Sequence, residues 1–222
     1  VLLERMKNLE SFSLQVGGTK VSNDSLNLFS SSLSKVIKDM KFFELHIDST
    51  RVTDSGLKVL AEKVLPEMSK LESLSFYLTH LQVTDAGVGR ILNSLPRLIK
   101  HLKSLDLSLF DTKITNRSLE VLSDNYLGNK PCLETLKLYI GRNNNISGPG
   151  FEKLFVNNRF MLKKLKYLTL NIESTKISQS SLKKLKDFIQ QNPSNLQEVV
   201  IEIEPDCNAR IKSLVEQIMG LI

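Results

Sequence analysis

Few side chains in this sequence are suited to proton transfer, nucleophilic attack or metal binding near neutral pH. They are His46, His80 and His101, with Cys132 and Cys207. An imidazole titrates close to physiological pH, and a thiolate is both nucleophile and metal ligand. Either chemistry needs partners at set spacings. No two of the histidines belong to a ligand-spaced pair with a cysteine or an acid. There is no phosphate-binding glycine loop, no nucleophile elbow and no paired-cysteine motif. The acids are numerous, but their positions fit surface columns and helix starts. His46 has no Ser or Cys nucleophile set beside it and reads as a contact residue before a base. The expectation is a segment that is not an enzyme and carries no cofactor and no metal.

The elements that position these residues recur at a fixed interval. Leu9, Met40, Leu71, Leu102, Leu133, Leu165 and Leu196 open seven copies of one apolar pattern, at spacings of 31, 31, 31, 31, 32 and 31 residues. A period in this range marks a solenoid whose units stack on their neighbours. In the third copy Leu71, Leu74, Phe76 and Leu78 alternate as in a strand with one buried face. Val88 and Ile91 then follow at helical spacing. Asn23, Asp54, Asp85 and Asn116 sit just before that switch, where a short side-chain oxygen can cap free amides. Each copy therefore reads as strand, ascending loop, helix and return loop. The helical segments read as 33–39, 57–70, 88–101, 119–132, 151–164, 182–195 and 209–219.

The L-x-x-L-x-L core, with the "VTDSGL" and "VTDAGV" segments, resembles the leucine-rich repeat family in its ribonuclease-inhibitor-like branch. It is also similar to F-box-type and long protist repeats. The resemblance covers about the whole chain. It implies an α/β, right-handed leucine-rich repeat solenoid of about seven coils of 31 residues, with parallel strands concave and helices convex. The family often places Asn or Cys after the strand. Here Thr19, Thr50, Thr112 and Thr175 stand one residue further along.

The expected organisation is the tail of an upstream repeat at 1–8, the solenoid at 9–204 and a C-terminal capping helix at 205–222, within a longer chain or complex. Ala209 to Met219 shows the amphipathic spacing of such a helix, with Ile211, Leu214, Val215 and Ile218 inward. No run of 18 apolar residues spans a membrane. The cysteines lie about two repeats apart, too far to bridge in a stacked array. They read as reduced thiols, Cys132 buried at a repeat junction. Glycosylation-type triplets occur at Asn23, Asn116 and Asn145, and the first two coincide with helix starts, which favours a structural role.

Stacking also sets what faces outward. The strand residues between buried positions form three concave rows. One holds Ser11, Phe42, Ser73, Ser104, Thr135, Tyr167 and Glu198. The second holds Ser13, Glu44, Ser75, Asp106, Lys137, Thr169 and Val200. The third holds Gln15, His46, Tyr77, Ser108, Tyr139, Asn171 and Glu202. The repeat does not require large aromatics there, and exposed aromatics suit interface anchors. The bland alternative is that they ladder with one another. The partner-binding candidates are Phe42, Glu44, His46, Tyr77, Asp106, Lys137, Tyr139, Tyr167 and Glu202. The strand face is rich in Glu and Asp and the helices in Lys and Arg, although helix lysines are often merely solvated. An acidic concave side would prefer a basic or mixed protein segment, and the convex side an acidic surface. Lys20, Arg51, Lys113 and Lys176 share one loop column. Without interleaved aromatics it does not indicate nucleic acid. The extra residue of the fifth copy, in "GRNNNISGPG", reads as a tolerated loop insertion.

These features predict a non-catalytic protein–protein interaction scaffold, binding a partner on the concave sheet within a larger intracellular assembly of cytoskeletal or ciliary type. The alternative is the substrate-receptor segment of an F-box-type ubiquitin ligase. A third class is a nucleotide-switched receptor whose nucleotide-binding domain lies elsewhere.

Overall fold

Alternation of apolar and polar residues over five positions makes a strand with one dry face, and such strands pair where their dry faces share a core. The computed structural model of the chain describes residues 6, 8–98, 100–129, 132–156, 158, 163–192 and 195–221. It contains β1 (Ser11–Gln15), β2 (Phe42–His46), β3 (Ser73–Tyr77), β4 (Ser104–Ser108), β5 (Thr135–Tyr139), β6 (Tyr167–Asn171) and β7 (Glu198–Glu202). All seven are parallel in one sheet, ordered as in the sequence. The register repeats without a slip: Phe12, Phe43, Leu74, Leu105, Leu136, Leu168 and Val199 are successive partners. A slip of one residue would turn every buried leucine outward, so the apolar column fixes the register.

Between the strands run α1 (Asn23–Leu33), α2 (Asp54–Val59, continued by a wider turn through Val64), α3 (Asp85–Ser94), α4 (Asn116–Asn125), α5 (Gly148–Val156) and α6 (Gln179–Gln191). The last element, α7 (Ala209–Met219), follows β7. Leu57, Val88, Leu119, Phe151 and Leu182 hold one position in successive helices and are all buried against the sheet. The result is an α/β fold consistent with a solenoid-like repeat. The tail of an upstream repeat expected at 1–8 lies mostly outside the described residues.

The first six helices begin earlier than the apolar spacing places them, while the last runs over Ala209–Met219 as expected. In the middle repeats the shift is three residues, because the first turn is polar and hides from an apolar-spacing count. In the first copy the segment 33–39 is replaced by Asn23–Leu33. There Ser30, fully buried, takes the core position that Ala61 and Leu92 hold in the next two copies.

Capping is also corrected. The cap residues are Ser22, Thr53, Thr84, Thr115 and Ser178, one position before the Asx column. Thr84 and Thr115 accept from the amides of Ala86 and Arg117, each at 3.1 Å. The Asx side chains reach instead to the next repeat. Asn23 Oδ1 accepts from Thr53 N at 3.0 Å, and Asp54 Oδ1 from Thr84 N at 2.8 Å. Asp85 Oδ1 accepts from Thr115 N at 3.0 Å, and Asn116 Oδ1 from Ser147 N at 2.9 Å. Asn23 and Asn116 therefore have structural duties.

The turns after the first six strands each use one left-handed residue: Gly18, Ser49, His80, Asp111, Arg142 and Ser174, with φ between 51 and 68°. The threonine column follows it. Thr19, Thr50, Thr112 and Thr175 donate Oγ1 to the carbonyls of Val16, Ile47, Leu109 and Ile172 at 2.6 to 2.9 Å. In the fifth copy Asn143 replaces Thr. It is buried and donates to the carbonyls of Leu109, Ile140 and Gly141.

Candidate interaction face

All nine candidate residues project from the side of the sheet away from the helices, because their strand neighbours point into the core. Phe42, Glu44 and His46 stand on β2, Tyr77 on β3 and Asp106 on β4. Lys137 and Tyr139 stand on β5, Tyr167 on β6 and Glu202 on β7. Stacking joins four of them into one tract. His46 Nε2 donates to Glu44 Oε1 at 2.6 Å, and Ser13 Oγ donates to the same oxygen at 3.2 Å. The His46 ring stacks on Tyr77, with centroids 3.9 Å apart and planes at 4°. Tyr77 OH donates to Asp106 Oδ2 at 3.1 Å. Strand alternation puts Glu44 beside His46 on one face, which a search for ligand spacings passes over. A second pair, His80 Nδ1 to Asp111 Oδ2 at 2.8 Å, forms on the turn column. Among the described residues no group of three His, Cys, Asp or Glu side chains is placed to hold a metal.

The electrostatics of the tract follow from burial. Asp106 is 6% exposed, and among the described residues its Oδ1 has no hydrogen-bond partner. Burial pushes its carboxyl above the usual range, against the opposing effect of the Tyr77 hydroxyl. Burial, followed by the charge of Asp106, pushes the Tyr77 phenol far above its ordinary value. Tyr139 is raised for the same two reasons, in the same order. Glu44 is held low, first by the His46 hydrogen bond.

The other candidates are spread out. Phe42 is 50% exposed and Tyr167 40% exposed, both in the outer row. Tyr167 OH donates to Gln197 Oε1 at 2.9 Å. Glu202 accepts from Asn171 Nδ2 at 2.8 Å, beside Tyr139 through the β5–β6 register. Tyr77 thus ladders with His46, as the bland reading has it. Tyr139 instead lies between Ser108 and Asn171.

The sequence reading missed how the acids of this face divide. The residues just before the strands alternate in charge: Glu10, Lys41, Glu72, Lys103, Glu134, Lys166. They pair as Lys41–Glu10 at 2.9 Å, Lys103–Glu72 at 2.8 Å and Lys166–Glu134 at 2.7 Å. Aligning the copies by the apolar column would have shown it, whereas counting charges by face concealed it. The net acidity of the face therefore belongs to the rows on the strands themselves: Glu44, Asp106 and Glu202 in the central rows and Glu198 in the outer row. The helices are stitched in the same way, by Arg90–Glu62, Lys153–Asp124 and Lys184–Glu152. The loop bases Lys20, Arg51, Lys113 and Lys176 are exposed. Cys132 and Cys207 are both free, and Cys132 is half-buried rather than buried, with Lys164 Nζ 3.7 Å from its sulfur. No helix among the described residues is long and apolar enough to cross a membrane.

The class this geometry defines is an α/β array of seven parallel strands alternating with helices, with one open sheet face. No family model matches the chain, and none of the curated proteins matches it. Among solved structures it is similar to a chain in the crystal structure of the Rad7 and Elc1 complex in yeast. The identity is 15%, covering 91% of this chain and 72% of that chain, with a TM-score of 0.36. A likeness at that level carries no argument, and the fold rests on the strand register.

Proposed function

We propose that the chain is a leucine-rich repeat recognition module: a right-handed solenoid that does no chemistry and binds a protein partner on the open face of its sheet. The observation that supports this most is the continuous Glu44–His46–Tyr77–Asp106 tract, with Tyr139 beside it. A repeat needs only small or polar residues on that face, as Ser13, Ser75 and Ser104 illustrate. The tyrosines concentrated there, Tyr77 and Tyr139, match the composition of interface anchors. The parent assembly is intracellular in this reading, and a cytoskeletal or ciliary setting rests on repeat style alone. The alternative, a receptor segment of an F-box-type ubiquitin ligase, uses the same face and differs in what co-purifies.

The test is affinity capture from the native source with crosslinking, comparing the wild-type chain with a Tyr77→Ala, Tyr139→Ala variant. The variant is expected to keep its thermal transition within a few degrees and to lose most of the captured partner. Capture undiminished in the double variant, with crosslinks confined to helical lysines such as Lys183 and Lys184, would overturn the reading. Ubiquitin-ligase subunits among the captured proteins would select the alternative.

A further inference from the structure

We propose that Asp106 is the receptor for a cationic side chain, Lys or Arg, of the partner segment, which enters between Tyr77 and Tyr139. The inference deepens the recognition reading and rests on it.

A buried carboxylate oxygen without a partner is costly and uncommon in folded proteins. Asp106 Oδ1 is such an atom, while Oδ2 is held by Tyr77. The molecule neutralises its acids elsewhere on the sheet, since each Glu of the pre-strand column has a Lys within 2.9 Å. Among the described residues Asp106 has no such pair, although its register neighbour on β5 is Lys137. The central acid is left with one oxygen uncommitted.

The surroundings suit a cation. Tyr77 and Tyr139 occupy the same register position on β3 and β5, with the small Ser108 between them on β4. Strands two apart set these tyrosines about 10 Å from each other. That gap takes the stem of one long side chain, with an aromatic ring on either side to attract its charge. Ser108 Oγ is 2.7 Å from Thr79 Oγ1, which ties the floor to the turn after β3. Glu44 and Glu202 add negative charge on the two sides, and Lys137 is the one cation of the central rows. Tyr77, Lys137 and Tyr139 are all partly exposed. A rotamer change at Tyr139 or Lys137 gives the entering group its path to Oδ1. With only one oxygen free, the contact is single-pronged, so an ammonium serves as well as a guanidinium.

The experiment uses the 222-residue chain and three Gly-Ser peptides, identical but for a central Arg, Lys or Gln. NMR follows the Asp106 side-chain carboxyl carbon and the rings of Tyr77 and Tyr139. The Arg and Lys peptides are expected to give saturable shifts at Asp106, and the Gln peptide none. Asp106→Asn keeps the hydroxyl contact from Tyr77 and should weaken cationic-peptide binding by about ten- to hundredfold. Lys137→Gln removes the competing cation and should tighten it by about two- to fivefold. Equal response to the Gln peptide, or undiminished binding by Asp106→Asn, overturns the proposal. So does a Lys137→Gln variant in which Asp106 moves but the cationic peptides gain nothing, because Asp106 is then the partner of Lys137. If the captured partner shields Tyr77 and Tyr139 yet binds Asp106→Asn equally well, this inference falls and the recognition reading stands. A partner that shields only the helices removes both.

Discussion

At the scale of single residues, the third position of each helix shows how closely the copies approach. Ser25, Gly56, Gly87, Ser118, Gly150 and Ser181 share this position. At Gly56, Gly87, Ser118 and Gly150 the Asx side chain of the preceding copy occupies the space beyond it. A Cβ at Gly87 would lie 2.7 Å from Asp54 Cα, and one at Gly150 2.5 Å from Asn116 Oδ1. Where the position is Ser118, its hydroxyl donates to Asp85 Oδ1 at 2.5 Å. Gly87→Ala is therefore expected to lower stability by about 1–3 kcal/mol, since backbone has to shift. Gly89, two residues on, has nothing within 4 Å of such a Cβ. Gly89→Ala should raise stability by about 0.5–1 kcal/mol through helix propensity alone. Urea midpoints of the two variants check the contrast. A loss of stability in both would mean that helix packing, not the Asx contact, selects glycine.

Asp85 adds a pH signature at the same scale. Burial opposes its ionisation, but hydrogen bonds from Ser118 and Thr115 outweigh burial and hold its carboxyl below the ordinary range. Its folded pKa is thus depressed relative to an unfolded value of about 3.9. It contributes stability above that value and loses it as the pH falls through the folded pKa. Asp85→Asn should flatten the acid limb of the stability curve from about the unfolded value downward through the folded pKa. Urea unfolding across the acid range measures it, and an acid limb as steep as that of wild type counts against the assignment. Asp106 has the opposite sign, its raised pKa favouring the protonated form at low pH. Its replacement by Asn is accordingly not expected to weaken the fold near neutrality.

At the scale of elements, each strand–helix unit is held by a buried leucine column and by the Asx ladder between adjacent helix starts. The pre-strand ion pairs add little energy, because most of their side chains are a third to a half exposed. Their alternation instead disfavours a shift by one whole copy, which would set like charges together. The Asx ladder ends at Gly148, where a side chain would meet Ser181 Oγ. Leu107, 2% exposed on β4, makes no polar contact and serves only the core. Leu107→Ala is expected to cost about 2–5 kcal/mol as a core truncation. A chemical-denaturation midpoint gives the value.

At the scale of the whole molecule, sheet order equals sequence order, so each unit touches mainly its neighbours. Stability in such an array is close to a sum of unit and interface contributions. Leu107→Ala should therefore loosen β3, β4 and β5 first and leave β1 and β7 nearly as protected as before. Hydrogen exchange resolved by segment reads this out directly. Uniform loss of protection across all seven strands would show that the array opens as one unit. The same linear order explains how one open face gathers residues from seven separate stretches of chain.

The sequence by itself determined the number of strands and which side chains leave the core, because the same alternation recurs in seven copies; the parallel arrangement of the strands was implied there by the family resemblance. It also determined that Phe42, Glu44, His46, Tyr77, Asp106, Lys137, Tyr139, Tyr167 and Glu202 share one face. Only the tertiary structure decided which of them meet. Contacts such as Tyr77 to Asp106 depend on rotamers and on the height of neighbouring side chains, neither of which a repeat period encodes. It also moved the helix caps from the Asx column to Ser22, Thr53, Thr84 and Thr115, because the Asx oxygens find amides in the next copy. The uncommitted oxygen of Asp106 belongs to this second kind of knowledge. An acid on a strand is visible in the sequence; its burial among two tyrosines and a lysine that does not pair with it appears only when the copies are stacked.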